Sequence, residues 1–269
     1  MIEAAHRVEE VSGASVADLR LDELAEGQRP VVFKGLARDW PLVRQGLQSA
    51  RAAMEYLKSY DVGRQVVGYV GPPEIGGRFF YDESLTGLNF RTERVGLSAF
   101  LDRMAEALDD PAAPSLYLGS TDVDTYLPGL RDENEVDVDP VQFGPQPPTV
   151  SIWIGNQTTA AAHYDMSNNM AVCAVGRRRF TLFPPEQVAN LYPGPLEPTP
   201  GGQVVSMVDF RSPDLDRFPR FAGAMAAAQV AELREHVTGQ LDRLAGVRTS
   251  GVDVHVTAFH TGAAGPRVA

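Results

Sequence analysis

A single cysteine, Cys173, stands in the 269-residue chain, so no intramolecular disulfide can form and a cysteine-rich zinc site is excluded. Positive charge is in deficit. With 24 Lys and Arg against 35 Asp and Glu, the formal net charge is -11, which disfavours nucleic-acid phosphates and anionic lipid as partners. No apolar run approaches the roughly 18 residues of a membrane span. The first residues, "MIEAAHRVEEV", carry acids and lack the apolar stretch of a secretory signal. Internal repeats and low-complexity linkers are missing. So are a G-x-S-x-G elbow, a P-loop and an H-E-x-x-H helix, which makes a hydrolase a poor reading. These absences leave a soluble cytoplasmic protein as the expectation, with neither nucleic acid nor membrane as partner.

What is there is an ordinary globular composition, 43% hydrophobic and 22% charged, long enough to bury a sizeable core. Helical patterns are expected at 15–24, 49–61 and 97–110, and strand patterns at 31–33, 62–71 and 114–120. The acidic, proline-containing stretch 121–148 reads as a long surface loop. Strands then dominate, in "TVSIWIGNQ", "TAAAHYD", "NMAVCAVG" and "RRFTLFPP", before a pattern that turns helical from about Ser212 and a last β-like stretch at 250–262. The expectation is a mainly β fold with flanking helices, a sandwich or barrel in one domain over 1–269. Its parts are a helical or mixed 1–110, core strands at 111–211, and a helical and C-terminal segment at 212–269.

The stretch "AAAHYDMSNNM" (160–170) concentrates the chemistry. On a strand, His163 and Asp165 at i and i+2 share a face, with Tyr164 turned away. A second histidine from another strand would complete the two-His-one-carboxylate triad that holds non-haem Fe(II) with open positions. Alone, H-x-D specifies only two residues, and it is more often a surface pair or a hydrogen-bonded core histidine than a metal site. Thirteen residues after Asp165 comes Arg178, inside "GRRRFTLFPPEQ".

With His163, Asp165, Asn169, Gly176, Arg178, Leu182, Phe183, Pro184 and Pro185 in one register, the sequence resembles the cupin-like JmjC oxygenases, which include protein asparaginyl and histidyl hydroxylases. "RPVVFKGLARDWP", "RFFYD", "LYLGS" and "IWIGN" are similar to the family's earlier landmarks, so the likeness covers roughly residues 25–233. The resemblance implies a double-stranded β-helix (cupin or jelly roll) and Fe(II)- and 2-oxoglutarate-dependent hydroxylation of a protein, peptide or small-molecule substrate. In it His163 and Asp165 are metal ligands. Arg178 anchors the far carboxylate of 2-oxoglutarate, which an arginine fork can bind bidentately. Tyr117 and Thr159 would offer that carboxylate hydroxyls, and Asn169 would line the pocket. Arg177 and Arg179 read as solvated, Trp153 and Phe183 as core, and Cys173 as an inert buried thiol.

The family's third ligand, a histidine after a Pro-Gly-Asp turn and beside tryptophans, has no counterpart motif after "AELREH". Of the remaining histidines, His236 sits in a helical, charged pattern and His260 near the end. His255 alternates with valines in "GVDVHVTAF" and is the preferred third ligand. A truncated or frame-shifted gene end, or divergence, would produce this pattern. The competing reading is a cupin-like binding module that holds cosubstrate but does not turn over. A homodimer is left open, and the acids at 121–139 would suit a basic peptide or simply face water.

Overall fold

The structure is a computed structural model describing residues 6–27, 29–139, 142, 148–165, 168–234, 237–241 and 244–260, with the backbone alone for Ala25 and from Arg234 onward. Among these residues the first half alternates short strands with helices. They are β1 (His6–Arg7), β2 (Glu9–Ser12), α1 (Leu21–Gly27), β3 (Val31–Lys34), α2 (Pro41–Gln48), α3 (Ala50–Lys58), β4 (Gln65–Gly71), β5 (Arg91–Gly96) and α4 (Leu97–Glu106). The chain continues through β6 (Ser115–Asp122), α5 (Val123–Tyr126), β7 (Thr149–Asn156), β8 (Thr159–His163) and β9 (Asn168–Phe183). It ends in α6 (Phe221–Ala227), β10 (Gln229–Arg234), β11 (Val237–Leu241) and β12 (Leu244–His260).

Local chemistry sets several boundaries. Pro41 opens α2, where its fixed φ suits the first helical turn and its missing N–H costs nothing. The Ser49 hydroxyl accepts from Ala52 N at 3.0 Å and caps α3. The amphipathic faces of α2, α3 and α4 bury Leu42, Val43, Met54, Leu57, Phe100, Leu101 and Met104 in one core with Val66, Leu118, Ile152 and Ile154 of the sheet.

The strands join in one hydrogen-bonded array, ordered β2-β3-β11-β9-β12-β7-β6-β4-β5, with β10 on β9 and β8 on β12. β12 is flanked on one side by β7 and then β8, and on the other by β9, all antiparallel. All three runs break at the same level. β9 turns at Gly176, whose φ of +75° favours glycine. β12 slips register between Ser250 and Val254, and Gln157 and Thr158 separate β7 from β8. The array therefore bends into two halves, as in a jelly roll. Four residues separate His163, the end of β8 in one half, from Asn168, the start of β9 in the other. At most about 18 Å of chain spans that step. Both ends of β12, Ala245 opposite His163 and His260 opposite Asn168, thus return to this one end of the fold.

Two expectations need correction. The stretch 121–139 is no open surface loop: α5 and a following turn bury Val123, Leu127, Leu130, Val136 and Val138 in the main core. Asn134 is the reason it stays down. Its Oδ1 accepts from Leu42 N at 2.8 Å at the start of α2, and its Nδ2 donates to Leu130 O and Tyr56 Oη. The segment after Ser212 is helical only over α6, and β10, β11 and β12 follow. Alanine, leucine and glutamate favour a helix in isolation, but "QVAEL" pairs with Leu182–Arg178 of β9 and buries Val230, Ala231 and Leu233. Tertiary pairing overrides propensity. His236 lies outside the described residues.

Candidate metal and cosubstrate site

His163 is the last residue of β8, and its ring is fixed by its own strand. Nδ1 lies 2.8 Å from the Ala161 carbonyl, which can only accept. Nδ1 therefore carries the proton, and the lone pair of the neutral ring is left on Nε2. Tyr164 and Asp165 follow the end of the strand and are exposed, so the pleat alone does not pair His163 with Asp165. Asp165 is held instead from β9: Asn169 Nδ2 donates to its Oδ2 at 3.1 Å. The other amide atom, Asn169 Oδ1, is buried and has no hydrogen-bond partner among the described residues.

On the bent β9, Arg178 is 4% exposed while Arg177 and Arg179 on either side are open to solvent. Strand alternation does this, and Phe180, on Arg178's face, lies with its ring centre 6.0 Å from the Arg178 guanidinium carbon. Residues paired across strands share a face. His163, Ala245 and Leu182 form one such row across β8, β12 and β9. Arg178 lies four residues back from Leu182 and so shares its face. The register therefore puts the imidazole and the guanidinium on one side of the sheet, two strands and four residues apart.

The other expected residues are placed less uniformly. Tyr117 is half-buried on β6, opposite Tyr69 and Gly155, with ring centres 6.0 Å from Tyr69 and 5.7 Å from Phe79. Gly155 makes room for it: a Cβ there would sit 3.1 Å from Tyr117 Cδ2 and 2.8 Å from Thr158 Cγ2. Tyr117 and Arg178 both flank the bend of the array. Thr159 is buried, but its row runs through Arg248 to Arg179. The irregularity in β8 gives the place on Arg178's face to Ala160, opposite Val247 and Phe180, and alanine has no hydroxyl. Thr159 is not brought to Arg178. Phe183 and Cys173 are fully buried, as core residues.

His255 pairs with Trp153 and Cys173. Cys173 is four residues along β9 from Asn169, about 13 Å of strand. The register does not carry His255 to Asp165. His260 reaches the level of Asp165, but it stands opposite Asn168, which alternates with the asparagine that holds Asp165 and so belongs to the other face. Directly opposite His163 stands Ala245, which offers no donor. Among the described residues no three His, Cys, Asp or Glu side chains cluster. Nε2 of His163 and the Asp165 carboxylate are the two donors, among the described side chains, of kinds that suit Fe(II) at this end of the fold.

A family model described as "Cupin-like domain" matches residues 17–235. The chain is 24% identical over 212 residues to "Lysine-specific demethylase 8" of Danio rerio, covering 75% of this chain and 46% of that protein. It is 26% identical over 206 residues to "JmjC domain-containing protein D" of Dictyostelium discoideum, covering 71% and 42%. To "HSPB1-associated protein 1 homolog" of Danio rerio it is 37% identical over 217 residues, covering 73% and 44%. The chain spans less than half the length of these relatives. By the extent of the family match and the site built on β8 and β9, the chain belongs to the cupin-like, JmjC-domain family.

Proposed function

We propose that this chain is an Fe(II)- and 2-oxoglutarate-dependent oxygenase that hydroxylates a peptide or protein side chain or a small molecule. The observation that carries the reading is the shared sheet face of His163 and buried Arg178. His163 Nε2 and Asp165 would hold the metal, which together with 2-oxoglutarate supplies the oxidising chemistry when bound. The chain's own work is positional. Ala161 fixes the imidazole tautomer, Asn169 steers the carboxylate, and the sheet holds Arg178 in a water-poor place where a charge-assisted fork is strong. Relatives named as demethylases and a JmjC-domain protein support an oxygenase over a hydrolase.

Ala245 opposite His163 favours a second reading, a module that binds the cosubstrate without turning it over. Two protein donors hold a divalent ion weakly and do not fix its open positions. Anaerobic Fe(II) titration followed by succinate measurement in air separates the two. The oxygenase reading expects stoichiometric iron and succinate, with iron binding abolished by His163→Ala or Asp165→Ala at unchanged fold. Iron binding without succinate supports the module, and iron content unchanged in both variants overturns the ligand assignment.

A further inference from the structure

The segment "GGRFFYD" (76–82) runs beside β8 on the side away from β12. Thr159 N donates to Gly77 O at 2.8 Å, Arg78 and Thr159 form a parallel bridge, and Phe80 and Tyr81 pack with Ala161 and Val205. On the same flank Ser206 N donates to Ala162 O at 2.7 Å and leads the chain to Asp209 and Arg211. Two arginines thus meet one carboxylate within a few residues of His163. Arg211 takes most of it: Nε and Nη2 donate to Oδ1 and Oδ2 of Asp209 at 3.2 and 3.0 Å, and Nη1 donates to Gly76 O at 3.0 Å.

Arg78 has the remainder. Its Nε is 3.7 Å from Asp209 Oδ2, too long for a hydrogen bond, and its guanidinium carbon lies 3.5 Å over the Phe80 ring. Arg78 Nη2 is buried with no hydrogen-bond partner among the described residues. A stacked cation held to one-fifth exposure, with a covered donor left over, leaves a site short of one acceptor. Burial pulls the Arg78 pKa down, Asp209 pulls it back up, Arg211 adds to the fall, and the net direction is downward. The pair carries more positive charge than Asp209 neutralises.

We propose that Arg78, with Arg211 behind it, is an oxyanion subsite that takes a carboxylate or phosphate group of the substrate on the flank of β8. It rests on the oxygenase reading only for calling the ligand a substrate, since the anion site itself stands on this cluster. A planar fork on an aromatic face suits a bidentate oxyanion better than a lysine would. Asp209 acts as the placeholder that keeps both guanidinium groups oriented.

The probe is inorganic phosphate, titrated into the full chain and followed by calorimetry, with acetate as the carboxylate arm. Wild type and Arg178→Ala are expected to bind the probe alike, because Arg178 serves a different pocket. Arg78→Gln is expected to weaken binding at least tenfold at unchanged thermal stability. Asp209→Asn should strengthen it, since removing the resident carboxylate frees both forks, and a purely structural Arg78 would not produce that gain. Phosphate binding equal in wild type and Arg78→Gln, or no binding of either anion by wild type, overturns the proposal. Loss of binding in Arg178→Ala alone also overturns it, by placing the anion in the cosubstrate pocket. An unchanged 2-oxoglutarate affinity in Arg178→Ala would count against the oxygenase reading alone.

Discussion

Removing the Arg178 guanidinium should cost 2-oxoglutarate affinity and little else of the pocket. A hydrogen bond to a charged group contributes about 1.5–3 kcal/mol. At about 1.4 kcal/mol per factor of ten, the dissociation constant should rise roughly 10- to 150-fold. The neighbours supply the control. Arg177 and Arg179 are exposed, and among the described residues Arg179 makes a solvent-facing contact with Glu232 at 4.0 Å. Such a pair contributes about 0–1 kcal/mol, so each alanine variant should change affinity less than roughly fivefold. Arg178→Lys keeps the charge without the fork and should fall between. Calorimetric titration of 2-oxoglutarate into Mn(II)-loaded protein, with circular dichroism to check the fold, reads all four variants. Equal losses at positions 177, 178 and 179 would refute the reasoning, because they would show a diffuse basic patch in place of one buried anchor.

His255 stands about 13 Å of strand from the level of Asn169 and His260 takes the register position of Asn168, on the opposite face, so His255→Ala and His260→Ala should each leave Fe(II) binding within twofold, which anaerobic titration of both variants checks. Asn134→Ala leaves Leu42 N and Leu130 O without this partner, while Tyr56 Oη keeps Tyr60 Oη, so it should cost about 2–3 kcal/mol in urea unfolding with no change in metal affinity. Burial raises the Asp209 carboxyl, but hydrogen bonds from Arg211 and the charges of Arg211 and Arg78 outweigh it and hold its pKa below the usual 3.8. A depressed carboxyl gives stability that is present above the unfolded pKa and lost as pH falls through the folded one. Unfolding measured from pH 6 down to 2 should therefore show Asp209→Asn with a shallower acid loss than wild type.

The residues that made the family resemblance legible were those whose spacing a strand fixes. Asn169 and Arg178 stand nine apart on one continuous β9, so their separation survives in the sequence whatever surrounds them. Thr159 was misjudged for the opposite reason. A local irregularity between His163 and Ala160 changes which residue takes the Arg178 face, and nothing in "TAAAH" announces it. The strands after α6 were hidden because alanine- and leucine-rich stretches carry helical propensity, whereas the pairing that makes them strands lies on β9, about fifty residues earlier. His255 looked right by alternation alone, and alternation does not say which partner a strand meets. The packing of 121–139 escaped because acids dominate its composition while five apolar side chains decide its position. Part of that acidity is spent internally: Arg131 pairs with Asp124 and Glu135.

β9 is hydrogen-bonded to three other strands, β10, β11 and β12, and it carries both Asn169 and Arg178. Amides so enclosed open only with large parts of the molecule, so the β9 backbone should exchange its hydrogens among the slowest in the chain. Ligand arrival then has no strand left to order. The entropy of immobilising the anchor is met when the chain folds, so binding spends less of its free energy on it.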